Sequence, residues 1–157
     1  MDGTRNSTMR KMEMTNKDKK YMQGKANKTL HLVLKRKWWD MIESGEKKEE
    51  YRDFTPFYVK RLCDNPCFNK QGELIERKII DKRTLDDCEK RGIDLKTAWA
   101  DGNIIPKDYS SVTFHLGYTN KTMTYSVKDI SVGEGRTEWG AESGKEYFII
   151  KLGERIE

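Results

Sequence analysis

Apolar residues alternate with polar ones at both ends of the chain, and a less regular stretch separates the two patterned regions. "LHLVL" (30–34) sets Leu30, Leu32 and Leu34 on one side, as a short strand with a buried face would. "KRKWWDMIES" (35–44) changes period: Trp38, Trp39 and Ile42 recur at helical spacing, and Gly45 follows where a helix C-terminus wants glycine. "KKEEYRDF" (47–54) reads as a mostly polar strand. "TPFYVKRL" (55–62) reads as a short helix, with Thr55 as N-cap and Pro56 at the first helical position.

In the last third, "VTFHLGY" (112–118) places Val112, Phe114, Leu116 and Tyr118 on one face, with Thr113 and His115 on the other. "TMTYSV" (122–127) alternates Met123, Tyr125 and Val127. The phase then slips at Lys128–Asp129 before Ile130 and Val132, which predicts a bulge. "EYFIIKL" (146–152) is apolar on both sides, and "GEG" (133–135) reads as a turn. Between these regions, residues 63–108 read as an insertion. "NPCFNKQGE" is loop-like, and "LIERKII" is a short strand or helix. Thr84 and Asp87 suggest a helix start through Leu85 and Cys88. Gly92 interrupts that helix, and Asp94 caps a further turn ending at Gly102, so the insertion is expected to be mainly helical. Strand, helix, strand and then several strands predict an α+β fold, a small mixed β-barrel with flanking short helices.

Residues 1–28 hold no Val, Ile, Leu, Phe or Trp, and carry five of the seven methionines. Such a segment cannot bury enough apolar area to offset its conformational entropy, so it is expected to be a disordered basic tail beside one domain over 29–157. It is either a basic arm that touches phosphates or an extension carrying start-like methionines at Met9, Met12 and Met14; the second is the expectation here. The tail also accounts for the net charge of +5: it has eight basic and three acidic residues, and the other 129 residues hold 23 of each. A nucleic-acid partner must therefore be argued from local patches, since the domain as a whole has no strong steering field. The absence of a long apolar run or an apolar N-terminal stretch leads us to expect no membrane partner. An odd count of three cysteines fits a reducing, cytoplasmic setting.

Chemistry concentrates in "SGEKKEEYR" (44–52). Strand alternation makes Glu50 and Arg52 same-face neighbours and leaves Lys47 at the strand's start, where the turn redirects it. One reading is a polar binding site. The other is a Glu50–Arg52 ion pair bracing the barrel mouth beside a solvated Lys47. Glu46, Glu49 and Glu50 are expected to raise the pKa of Lys47, which weighs against a lysine base. Lys35, Arg36 and Lys37 precede the two tryptophans, and Lys60 and Arg61 follow Phe57 and Tyr58, a mixture suited to holding phosphates and stacking bases. Helical neighbours point about 100° apart, so Trp39 is expected in the core and Trp38 nearer the cleft. Trp139, flanked by glycines, is a candidate recognition aromatic or a lid on the barrel end. Cys63, Cys67, Cys88 and His115 match no common zinc spacing, and His31 and His115 are expected to be sheet-face residues. Neither metal nor cofactor is expected.

Gly45-x-Lys47-x-x-Glu50-x-Arg52 resembles the G-x-K-x-x-E-x-R signature of the ASCH domain, a family of the PUA-like superfamily of small β-barrels. The preceding "LVLKRKWWDMIESG", "FHLGY" (114–118) and "GEGRTEWGAESGKEYFIIKLG" (133–153) are similar to ASCH proteins of bacteria and their phages. The resemblance covers about residues 30–61 and 111–153. It implies a PUA-like fold with a cleft near the motif that binds RNA or a modified nucleotide, lined by Lys47, Glu50 and Arg52 with Trp38, Lys37, Tyr118 and Trp139. It also implies an alternative, an amidohydrolase removing acetyl from N4-acetylcytidine-type nucleosides, with Lys47 and Glu50 catalytic. In that case Glu50 stands where those relatives carry a threonine nucleophile, and Glu134, Glu138 and Glu142 are candidates for their distant glutamate. A carboxylate there would act as a general base on water, with Lys47 steadying the oxyanion. A third reading is a protein-interaction module that docks through the insertion, in which case removing 64–108 would leave ligand binding intact.

Overall fold

The computed structural model describes residues 28–157; the expectation of a disordered tail concerns residues that, Lys28 apart, lie outside the described ones. Lys28 itself is placed, its carbonyl accepting from the Ser110 N–H at 2.9 Å and the Ser110 hydroxyl at 3.1 Å. The elements in order are β1 (Thr29–Leu34), α1 (Arg36–Glu43), β2 (Glu49–Asp53), α2 (Pro56–Leu62), β3 (Cys63–Phe68), β4 (Leu74–Ile79), α3 (Lys82–Lys90), α4 (Leu95–Ala100), β5 (Ile105–Pro106), β6 (Ser111–Leu116), β7 (Thr122–Glu134), a 3-10 turn (Thr137–Trp139) and β8 (Glu146–Arg155).

Five strands form one curled half-barrel sheet in the order β1-β6-β7-β8-β2, with β1 parallel to β6 and every other neighbour antiparallel. The alternation read from the sequence sets its inner face. Leu30, Leu32 and Leu34 of β1 meet Val112, Phe114 and Leu116 of β6, and Met123, Tyr125, Phe148, Ile150 and Leu152 continue the layer. Helix α1 adds Trp39 and Ile42, and α2 adds Val59 and Leu62, all buried. Each such side chain contributes about 1.5–3 kcal/mol by leaving water. The phase slip of β7 is a pair of register shifts, between Tyr125 and Val127 and between Val127 and Asp129. The fold is thus mixed α+β and barrel-like, with short helices beside a half-open sheet.

The half-barrel is open between its two edge strands, β1 and β2, and Arg52 bridges the opening. Its guanidinium, carried on β2, donates to the Val33 carbonyl of β1 at 3.0 Å.

The 63–108 segment departs from the expectation of a helical insertion. Its first part is a β3–β4 hairpin in a second sheet of order β4-β3-β5, and α3 and α4 follow. Asn65-Pro66 suggested a loop, yet Pro66 lies within β3. Strand β5 pairs only with Cys63 and Asp64, so by Pro66 one edge of β3 has no ladder partner to lose. Helix α3 begins earlier than expected, because Asp81 rather than Thr84 is its N-cap and accepts from both the Thr84 N–H and hydroxyl at 2.8 Å. Nor is the segment separable: Cys63, Ile80, Ala98 and Ile104 belong to the same core as the half-barrel. Asp64, nearly inaccessible, accepts from Lys107 at 2.6 Å and lies 3.7 Å from Arg77, which also reaches Asp108 at 3.0 Å. Removing 64–108 would therefore take Ile80, Ala98 and Ile104 out of the shared core.

The "GEG" stretch also differs from expectation. Gly133 and Glu134 continue β7 opposite Tyr147 and Glu146, and only Gly135 leaves the ladder. Among the described residues, no helix is long and apolar enough to cross a membrane.

Candidate functional site

The opening between β1 and β2 is a polar cleft of about 410 Å³. Its walls come from the end of β1, from α1, from the motif on β2 and from the loop between β7 and β8. Lys47 reaches it by a turn. Gly45 adopts φ +85°, a left-handed conformation in which glycine is unstrained, and the Lys47 N–H donates back to the Met41 carbonyl at 2.9 Å. Lys47 therefore precedes the strand rather than alternating with it, and its side chain folds inward beneath Trp38.

There the ammonium donates to Glu50 Oε2 at 2.9 Å, with the centroids of the Trp38 and Tyr51 rings 4.7 and 5.7 Å away. Lys47 is 2% exposed and Glu50 5%, so the pair is buried and the alternative reading of a solvated Lys47 fails. Arg52 Nη2 lies 3.8 Å from the other oxygen of Glu50, too long for a hydrogen bond, while its Nε is buried without a partner. Glu50 and Arg52 are same-face neighbours as alternation requires, but the closer partner of Glu50 is Lys47.

Burial lowers the pKa of Lys47, and the attraction and hydrogen bond of Glu50 only partly oppose this; Arg52 pushes it lower still. The sequence argument expected an upward push from three glutamates. Only Glu50 is positioned to give one, and desolvation outweighs it. Burial likewise drives the Tyr51 phenol well above its usual range. Its hydroxyl donates to Glu49 at 2.7 Å and accepts from the Arg136 N–H at 3.0 Å, which ties β2 to the loop after β7.

Of the expected site residues, the structure gathers Lys47, Glu50, Arg52, Trp38 and Trp139 around the cleft. Trp39 is in the core and Trp38 in the cleft wall. Lys37 is exposed; its ammonium sits 4.7 Å from the Trp38 ring without lining the cleft. Tyr118 does not belong to the site. Strand β6 stops at Leu116, Gly117 turns the chain at φ +48°, and Tyr118 is left fully exposed in the turn. Of the three glutamates, Glu142 lines the cleft, Glu138 faces Arg136 at 3.6 Å, and Glu134 ends β7 opposite Glu146. The cysteines and His115 do not converge: no group of three or more metal-ligating side chains occurs among the described residues, and Cys63 is in the core.

Lys35, one of the basic residues noted before the tryptophans, does line the cleft; sequence reasoning missed Asp53, Lys145, Gly140, Tyr51 and Tyr147. Asp53 and Lys145 pair at 3.1 Å, both partly exposed. Tyr147 follows from alternation along β8, since it pairs with Asp53 on β2. Gly140 had a readable signal, a glycine next to a candidate aromatic. It has φ +104°, and a Cβ there would lie 2.9 Å from the Trp38 ring.

The cleft offers a buried ammonium, a carboxylate already engaged by it, an arginine at the opening and aromatic walls. None of the residues lining it is Ser, Thr or Cys. Such a set can hold a flat polar group and polarise a carbonyl, but supplies no serine, threonine or cysteine nucleophile. In comparisons with models of known protein families, with curated proteins and with solved structures, the chain finds no match.

Proposed function

We propose that the chain is an ASCH-type domain of the PUA-like class that binds RNA through one base, or a nucleotide or modified nucleoside, in the cleft between β1 and β2. The observation that carries this reading is the Lys47–Glu50 pair, buried under Trp38 and Tyr51 at the foot of an open cleft. About 410 Å³ falls within the roughly 300–1,000 Å³ of small-molecule sites. The lining carries four cationic side chains (Lys35, Lys47, Arg52, Lys145) and three carboxylates (Glu50, Asp53, Glu142). That near balance favours recognition of a base over tracking of a phosphate backbone. Stacking on Trp38 or Trp139 would add about 1–3 kcal/mol.

The test is tryptophan-fluorescence titration of the full chain with short single-stranded RNA and with free nucleosides, N4-acetylcytidine included. Saturable binding weakened in Lys47→Ala and Trp38→Ala supports the reading, with a shallow salt dependence. Absence of binding to every nucleic-acid probe overturns it.

A second reading, hydrolysis of N4-acetylcytidine-type nucleosides, is favoured by the placing of Lys47 and Glu50, 2.9 Å apart and buried, in the wall of the same cleft. There Glu50 would have to activate water while held by Lys47. Turnover abolished in Lys47→Ala and in Glu50→Ala would establish it. An unchanged substrate after long incubation with concentrated protein removes it and leaves the binding reading standing.

A further inference from the structure

Away from the cleft, on the outer face of the half-barrel, two histidines meet. His31 on β1 and His115 on β6 point away from the leucine-lined core, and the parallel register sets His31 beside Thr113 and Val33 beside His115. The two imidazoles are therefore diagonal neighbours on adjacent strands. Their rings lie 5.3 Å apart at 41°, with His31 Nδ1 and His115 Nε2 separated by 3.0 Å.

We propose that His31 Nδ1 and His115 Nε2 form a two-imidazole site for a late first-row divalent cation, copper(II) before nickel(II). The argument is geometric. Imidazole nitrogens bind such metals at about 2.0–2.1 Å, so two of them 3.0 Å apart subtend roughly 90–97° at a shared ion. This is the cis angle of square-planar and octahedral coordination. Copper(II) also stands above nickel(II) and zinc(II) in intrinsic affinity for nitrogen ligands.

The surroundings allow the exchange. With both rings neutral, one facing nitrogen carries the proton of the hydrogen bond and the other accepts it. Metal binding requires the donating ring to move that proton to its outer nitrogen, so the ring changes tautomer and no proton is lost overall. His31 is exposed and His115 partly so. The strands hold both backbones, and small ring rotations bring the two lone pairs onto the ion. Arg61, from α2, is the cation nearest by hydrogen bonding, and its guanidinium is committed to the His31 carbonyl. No third His, Cys, Asp or Glu completes a set among the described residues, so water fills the remaining positions. A bound ion would cross-link β1, an edge strand, to β6.

The experiment titrates the untagged full chain with Cu²⁺, Ni²⁺ and Zn²⁺ by calorimetry and follows Cu²⁺ by electron paramagnetic resonance. One Cu²⁺ per chain with a two-nitrogen signature is expected, bound more tightly than Ni²⁺ or Zn²⁺. His31→Ala and His115→Ala should each weaken Cu²⁺ by more than the roughly 10–100-fold typical of losing an outer-shell partner. Far-ultraviolet circular dichroism checks that these outward-facing substitutions leave the fold intact, with His31→Gln as a milder replacement. Unchanged affinity in the histidine variants, binding lost instead in Cys67→Ser, or no saturable one-to-one site overturns the proposal.

Discussion

Glu50→Gln keeps the shape of the side chain and an acceptor oxygen but removes the charge that faces Lys47. Breaking one side of a buried ion pair costs about 3–5 kcal/mol when the surviving charge has no other partner. Here the survivor has an escape, because burial and Arg52 already lower the pKa of Lys47 and Glu50 supplies the causes that raise it. In the variant, Lys47 folds as the neutral amine. The unfolded chain keeps an ordinary lysine, with a pKa of 10.5. The unfolded state then binds more protons than the folded one, so stability of the variant rises with pH.

At 1.36 kcal/mol per pH unit, the cost of neutralising that lysine has a ceiling of about 4.8 kcal/mol at pH 7 and about 1.4 kcal/mol at pH 9.5. The stability gap between wild type and Glu50→Gln should therefore lie between about 1 and 4.8 kcal/mol at pH 7. It should narrow, by up to about 3.4 kcal/mol, by pH 9.5. Urea unfolding followed by tryptophan fluorescence at several pH values measures both. Groups common to both proteins, Cys63 and the buried tyrosines, cancel in the difference. The variant pair Lys47→Met/Glu50→Gln should recover most of the loss at pH 7, since it leaves no buried charge. A gap below about 1 kcal/mol at pH 7, or one that widens with pH, would show that water reaches the pair and would refute the reasoning.

Gly140→Ala forces a Cβ to within 2.9 Å of the Trp38 ring at a backbone φ of +104°, so it should destabilise by about 1–3 kcal/mol and weaken ligand binding together; thermal melts and the fluorescence titration read the two effects. Burial holds the Cys63 thiol up to about 12 against its ordinary 9.0, so the folded state keeps a proton that the unfolded state loses, and its stability contribution falls as pH rises from about 9 towards 12. In native protein a thiol reagent should label Cys67 and Cys88 ahead of Cys63, and equal rates at all three would contradict the core position of Cys63.

The half-barrel was legible because its strands keep strict alternation. Leu30–Leu34, Val112–Leu116 and Met123–Tyr125 each bury every second residue, and the slip after Val127 marked the irregular stretch of β7. Thr55 and Pro56 fixed the start of α2 by local capping chemistry, with Thr55 accepting from the Tyr58 N–H at 3.3 Å. Residues 63–108 were less legible, since their elements rest on contacts distant in sequence. Asp64 pairs with Lys107, and β3 is held between β4 and β5, neither of which local pattern reveals. Tyr118 shows the opposite failure, an alternation continued two residues past Leu116, where the strand ends. At the site, Lys47, Glu50 and Arg52 were legible from the motif, but Asp53, Lys145 and the depth of Lys47 were not. That depth is set by the turn at Gly45 and by aromatic rings arriving from α1 and β2.

The position of Glu50 is where the pattern and the chemistry disagree most. It lies on β2 opposite Ile150, a fully buried core residue, and an apolar side chain is what that register asks for. A methionine opposite a leucine would fill the same volume without a charge to desolvate, and such replacements of buried pairs are often neutral or stabilising. Stability alone therefore does not account for a lysine and a glutamate at the foot of the cleft. Local rules give way most often at functional or strained positions, and this one opens onto a cleft between two unpaired strand edges. The variant pair Lys47→Met/Glu50→Gln separates the two roles. If the pair serves a ligand, the protein folds as well as wild type and binds none; if it serves only the fold, ligand binding survives wherever folding does.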